Sequence, residues 1–198
     1  MKILIVFLLI LWAYIISVFK RANLYFFKFI VGAVGLFFFT IVILQPYLVG
    51  ALSQLVTAVA GVIGEITNYY QAFYQYSLIL ISSGTSTVSM YIDYECSGVI
   101  EILAFTSLLW FFPVYNFMEK IMYNIIGVIW IFAANVLRIF IICILVYYYG
   151  NNMFYFAHTI LARFVFYGLS IILYFHVFTK SQIKNQRVGD IAYGDDVK

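Results

Sequence analysis

Long apolar runs without charged residues dominate this sequence. Several of them reach the roughly 20 residues that a helix needs to cross a bilayer core of about 30 Å. Of the 198 residues, 66% are hydrophobic and only 10% are charged, which leaves too little polar surface to cover a water-soluble globule. The sequence therefore predicts an all-α, polytopic integral membrane bundle that forms one domain over residues 1–198.

The apolar runs predict five membrane-spanning helices. Between the second and third spans, residues 51–83 are diluted by polar side chains and are expected to form two helices that lie in the interface or pack loosely on the bundle, with a sixth span as the alternative. Residues 84–94 alternate in polarity and favour an extended connector. The second span is expected to end near Pro46. The five predicted spans cover residues 3–19, 29–50, 96–118, 121–149 and 154–179.

Basic residues cluster in the predicted connections and in the polar tail over residues 180–198. With five spans they all fall on one side of the membrane, which the positive-inside rule makes cytoplasmic. The segment 51–95 is then extracellular, and the first run is an uncleaved anchor because basic residues follow it. The basic residues are Lys20, Arg21, Lys28, Lys120, Lys180, Lys184 and Arg187.

Three reactive or charged side chains are predicted to lie at similar depths in the outer part of the membrane. An ionisable group at membrane depth costs about 2.5–3.5 kcal/mol, so such a residue needs a partner or a function. At a rise of about 1.5 Å per residue, Cys96 lies roughly 33 Å from the inner end of its helix. By the same rise, Arg138 and His158 lie roughly 27 and 33 Å above the inner ends of theirs.

The motifs around these residues resemble those of exosortases and archaeosortases, in the same order along the chain. The resemblance covers residues 90–178, and the short chain is similar to small exosortase-like proteins of Gram-positive bacteria. Ala162 stands four residues after the histidine, where the family commonly has glycine. The motifs are Glu95-Cys96-Ser97-Gly98, Asn135-Val136-Leu137-Arg138-Ile139 and His158.

This resemblance implies a cysteine transpeptidase of the plasma membrane with an extracellular active site. Its substrate would be a secreted protein whose carboxy-terminal tag has a short motif, a hydrophobic helix and a basic tail. Cys96 would attack with a pKa lowered by a helix amino terminus and a nearby cation. His158 would act as general base and Arg138 would stabilise the oxyanion or the thiolate, with Asn135 orienting it. An acceptor nucleophile of unknown identity, or water, would release the acyl group, so the enzyme would be a transpeptidase or a peptidase.

Further polar residues are assigned supporting roles. Glu95, Ser97 and Gly98 adjoin the nucleophile. Glu101 and Arg163 are expected to form a structural ion pair, with substrate contact as the alternative. Cys143 is expected in the core. No motif for a metal, a cofactor or a nucleic acid is present, so none is expected.

Non-enzymatic membrane proteins are the main alternative class. In an assembly or transport subunit, the intramembrane charges would hold helices together or line a polar route. Such a protein would retain its function when Cys96 is replaced. The charges concerned are Glu65, Glu101, Arg138 and Arg163.

Overall fold

The computed structural model of the protein describes residues 2–83 and 86–180, and this part contains five helices and one small sheet. A polytopic helical bundle is therefore confirmed. The predicted tail beyond residue 180 lies outside the described residues. The helices are α1 (Lys2–Arg21), α2 (Tyr25–Thr67), α3 (Val99–Phe111), α4 (Phe117–Tyr149) and α5 (Asn151–Thr179). The strands are β1 (Gln71–Phe73), β2 (Leu78–Ser83) and β3 (Ser86–Tyr91).

The predicted third span is shorter in the structure than the sequence suggests. Four helices, α1, α2, α4 and α5, are long and apolar enough to cross a membrane. Helix α3 has 13 residues, or about 20 Å, and ends at Phe111 rather than continuing to residue 118. Pro113 follows closely and cannot continue the helix, while Asn116 and Glu119 form a capping box that starts α4.

Helix α2 is continuous through Pro46, so the predicted end near this residue is wrong. Its 43 residues span about 64 Å, twice the thickness of a bilayer core. The prediction of two separate helices over residues 51–83, in the interface or packed loosely on the bundle, is also wrong, because the first part of that segment continues α2. Its small polar residues lie on the packed face, where Ser53 and Thr57 are buried and the Thr57 hydroxyl donates to the Ser53 carbonyl at 2.7 Å.

The second part of that segment joins the predicted connector in an antiparallel sheet with strand order β1-β2-β3. The extended conformation expected for the connector is confirmed by β3. Ile79 pairs with Met90 and Ile81 with Val88, and these four side chains form the buried face. Strand β2 packs against α4 and the end of α2. The period-two alternation of β-branched residues favours strand over helix here.

The basic connections lie together at the end of the bundle opposite the sheet. The rings of Phe29 and Phe112 are 6.2 Å apart. Lys28 and Lys120 lie close enough for their positive charges to repel each other. The Tyr115 hydroxyl donates to the Val177 carbonyl near the end of α5. The start of α2, the α3–α4 connection and the end of α5 are therefore neighbours, as the distribution of basic residues predicts.

Candidate active site

Cys96 lies in a short turn between β3 and α3. The Asp93 carboxylate accepts a hydrogen bond from the backbone N–H of Glu95 at 3.0 Å, and the Asp93 carbonyl accepts one from the N–H of Cys96 at 3.2 Å. The Ser97 hydroxyl donates to the Tyr94 carbonyl at 3.0 Å. Such side-chain bonds to nearby backbone groups fix a turn in place of regular structure.

Gly98 ends this turn and begins α3. Its φ of 77° lies in the left-handed region, which glycine adopts without the steric cost that other residues carry. A Cβ atom at this position would lie 3.5 Å from the side chain of Asn135. Gly98, one of the predicted supporting residues, therefore contributes through its backbone, which sets the direction in which α3 leaves the turn.

The structure brings together the three predicted catalytic side chains. The Cys96 sulfur lies 3.3 Å from Nε2 of His158 and 3.7 Å from Nη2 of Arg138. Cys96 is buried, and His158 stacks on Phe154 with ring centroids 5.6 Å apart. A thiol, an imidazole and a guanidinium from three separate chain segments thus share one site.

Arg138 is held by both polar and aromatic contacts. Only 4% of its surface is exposed. Its Nη1 donates to the Glu95 carbonyl at 3.3 Å, and its guanidinium carbon lies 5.9 Å from the centre of the Phe166 ring. Its Nε has no hydrogen-bond partner among the described residues. These contacts direct the terminal nitrogens of the guanidinium toward the Cys96 turn.

Asn135 contacts the backbone of Cys96 rather than Arg138, which differs from its predicted role. Its side-chain nitrogen donates to the Cys96 carbonyl at 2.5 Å, and the side chain is fully buried. Within the described part of the chain its Oδ1 has no partner. Asn135 therefore anchors the turn that carries the thiol.

Arg163 pairs with Glu95, so the predicted ion pair with Glu101 is wrong. The Arg163–Glu95 distance is 3.5 Å, and the two side chains are 40% and 48% exposed. The first turns of α5 explain the difference, since residues 157–161 form a π-helical turn with hydrogen bonds between residues five apart. This widened turn brings His158 and Arg163 to one side of α5. Oε2 of Glu101 is buried and has no partner among residues 2–83 and 86–180.

The pKa of the Cys96 thiol is raised, whereas the sequence predicts a lowered value. Burial of the sulfur is the main cause, and the nearby carboxylates of Asp93 and Glu95 raise the pKa further. The guanidinium groups of Arg138 and Arg163 lower it without cancelling the effect of burial. A raised pKa favours the neutral thiol over the thiolate.

Residues outside the predicted set also shape the site. Asp93, near the end of the predicted connector, forms the turn, and an aspartate in a connector is itself a sequence signal for an Asx turn, made here to the N–H of Glu95. Phe154 and Phe166 support His158 and Arg138, but nothing distinguishes them from the many other aromatic residues. Cys143 is fully buried in the core, as predicted, and both cysteines are free.

A comparison with protein families gives one result for most of the chain. The family model of transmembrane exosortases matches residues 1–175, which includes the amino-terminal helices as well as the three motifs. Searches of curated proteins and of solved structures found no match. This multi-pass membrane protein, with Cys96, Arg138 and His158 in mutual contact, belongs to the transmembrane exosortase family.

Proposed function

We propose that this chain is a membrane-embedded cysteine transpeptidase with Cys96 as its nucleophile. The observation that carries the proposal is the 3.3 Å contact between the Cys96 sulfur and Nε2 of His158, with Arg138 at 3.7 Å from the same sulfur. A thiol beside an imidazole is the arrangement that nucleophilic acyl transfer needs. Membership of the exosortase family supports the same reaction class.

The first half-reaction starts with transfer of the thiol proton of Cys96 to Nε2 of His158. The sulfur then attacks the carbonyl carbon of the scissile amide, and the carbonyl oxygen becomes an oxyanion. The C–N bond breaks as His158 returns the proton to the leaving amine, which leaves a thioester on Cys96. The second half-reaction is the reverse sequence with an acceptor nucleophile, whose proton passes to His158 and then to the departing Cys96 sulfur.

Arg138 contributes a fixed positive charge to both half-reactions. Its Nη2 is positioned to stabilise the thiolate before attack and the oxyanion afterwards, in a buried site where such interactions are strong. Its hydrogen bond to the Glu95 carbonyl supports this position without neutralising the charge. Asn135 holds the Cys96 carbonyl, so the sulfur is directed before the substrate arrives.

The proposed substrate is a secreted protein whose carboxy-terminal tag has a short motif, a hydrophobic helix and a basic tail. The basic end of the bundle, near Lys28 and Lys120, is assigned to the cytoplasm by the positive-inside rule. The sheet and Cys96 then lie at the extracellular side, where the passenger part of the substrate is exported. The basic tail of the substrate would stay at the cytoplasmic end.

The test is cleavage of a tagged reporter protein in cells at matched expression of each variant. Cys96→Ala, Arg138→Ala and His158→Ala are each expected to abolish cleavage. Cys143→Ala is the matched control because it removes the other, fully buried thiol, and it should retain cleavage. Continued cleavage by Cys96→Ala would refute the proposal and favour a non-enzymatic membrane subunit.

A further inference from the structure

Strand β3 forms an open edge of the sheet and leads directly into the turn that carries Cys96. In the described part of the chain, β3 pairs only with β2. An unpaired strand edge presents free N–H and C=O groups that can accept another extended chain. This edge therefore lies next to the proposed nucleophile along the polypeptide.

The hydrogen-bond register identifies the free backbone groups. The Ile92 N–H donates at 2.8 Å to the carbonyl of Ser77, which lies opposite it when the register is continued, so Ile92 faces the partner strand, although the Ser77 N–H donates to Tyr74 instead. Hydrogen-bonded pairs alternate with pairs whose N–H and C=O groups point away from the partner strand. Counting back from Ile92, every second residue of β3 therefore faces the open edge. These residues are Tyr91, Ser89 and Thr87.

This edge lacks the features that usually prevent strand addition. The side chains of Thr87, Ser89 and Tyr91 are exposed, and none of their backbone groups bonds to another part of the described chain. Natural sheets commonly protect such edges with charged residues or proline. The sequence of β3, STVSMY, contains neither. The edge is thus available to an extended partner.

We infer that the segment of the substrate just before the scissile bond adds to β3 as a fourth strand, parallel to β3. This inference rests on the proposed function. The chain's own order is strand β3, the Cys96 turn and then α3, running from the sheet toward the basic end of the bundle. A substrate with an extended segment, a scissile bond and a hydrophobic helix follows the same order if its helix enters the membrane beside the bundle. With parallel addition, the extended segment and the helix of the substrate run in the same directions as β3 and α3.

Site-directed disulfide crosslinking tests this arrangement. Cys96→Ala is combined with Ser89→Cys or with Tyr91→Cys, and single cysteines are placed in turn along the extended segment of a reporter. The reporter is one that the wild-type chain cleaves and the Cys96→Ala variant does not. Neighbouring strands lie about 4.7–4.9 Å apart and successive side chains point to opposite faces, so crosslinking should rise and fall with a period of two residues.

Moving the enzyme cysteine along β3 should shift the reporter position that crosslinks best, and the direction of that shift distinguishes parallel from antiparallel addition. Moving the enzyme cysteine from position 91 to position 89 should move the best reporter position by two residues toward the reporter's amino terminus. A shift in the opposite direction, crosslinks without periodicity, or crosslinks between two copies of the enzyme would overturn the inference. Cleavage of the reporter by wild type is measured separately, so such a result would leave the proposed function intact.

Proline substitution provides a second test on the same reporter. Ser89→Pro removes an outward N–H that the pairing with β2 does not use, and edge strands tolerate proline. Cleavage should fall about five- to tenfold, the effect of one lost hydrogen bond, while alkylation of Cys96 by a small reagent keeps its rate.

The matched control for this proline lies on the other edge of the same sheet. Ala72 of β1 pairs with Ile79, whose own N–H and C=O groups face β3, so the backbone of Ala72 also points outward. Ala72→Pro should leave cleavage unchanged. Equal losses in Ser89→Pro and Ala72→Pro, or no loss in Ser89→Pro, would overturn the inference.

Discussion

Replacing Gly98 by alanine tests whether the turn after Cys96 depends on a left-handed residue. The φ of Gly98 is 77°, and an added Cβ would lie 3.5 Å from Nδ2 of Asn135, which is an ordinary contact. The cost is therefore conformational and amounts to about 1–2 kcal/mol for an L-residue. Alanine also restricts the unfolded chain, which returns about 0.4–1 kcal/mol. The net expectation is a destabilisation of about 1 kcal/mol.

Replacing Gly168 in α5 by alanine should have the opposite effect and stabilise the protein. A Cβ there meets no described atom within 4 Å, and glycine inside a helix is about 0.5–1 kcal/mol less favourable than alanine. Thermal unfolding in detergent micelles measures both variants, and 1 kcal/mol corresponds to about 2–4 °C in Tm for a chain of this size. Gly98→Ala should lower Tm and Gly168→Ala should raise it. Shifts of the same sign would refute the reasoning.

Four further predictions concern Cys96 and its surroundings. Because burial raises the pKa of the Cys96 thiol, its alkylation rate should keep increasing above pH 8.5, near the ordinary thiol pKa. Arg138→Gln removes a charge that lowers this pKa, so the alkylation profile should move to higher pH; an unchanged profile contradicts the assignment. Asn135→Leu leaves the buried Cys96 carbonyl without its donor, which should cost about 1–3 kcal/mol in thermal unfolding and slow reporter cleavage; an unchanged Tm argues against this role. Arg163→Gln breaks an exposed pair with Glu95 and should change stability by less than about 1 kcal/mol; a larger loss in Tm would show that the pair is structural.

The sequence predicts the structure correctly where one energetic contribution dominates. Apolar runs of membrane-crossing length predict most of the bundle because only the hydrocarbon core of a bilayer accommodates them. The cost of burying charged groups similarly predicts that Arg138 needs partners. The motif order, which resembles that of exosortases, predicts that Cys96, Arg138 and His158 meet, whereas the depth estimate for Cys96 assumes a helix over residues 96–118 and the structure has α3 over Val99–Phe111.

The incorrect predictions arise where local sequence gives two acceptable answers. The small polar residues after Pro46 suit an interfacial helix as well as the packed face of a long one, and tertiary contacts favour the second. An ideal helix places Arg163 away from His158, whereas the π-helical turn brings it toward Glu95. The thiol pKa depends on the depth of burial of Cys96, which residue spacing does not show.

Direct detection of an acyl-enzyme tests the central claim most directly. Purified protein is mixed with a reporter that it cleaves, the reaction is quenched in acid, and the peptide containing Cys96 is analysed by mass spectrometry with and without hydroxylamine. The account predicts that the passenger's new carboxy-terminal residue is joined to the Cys96 sulfur as a thioester that hydroxylamine removes. Accumulation of cleaved passenger by both wild type and Cys96→Ala, with the Cys96 peptide unmodified, would contradict it.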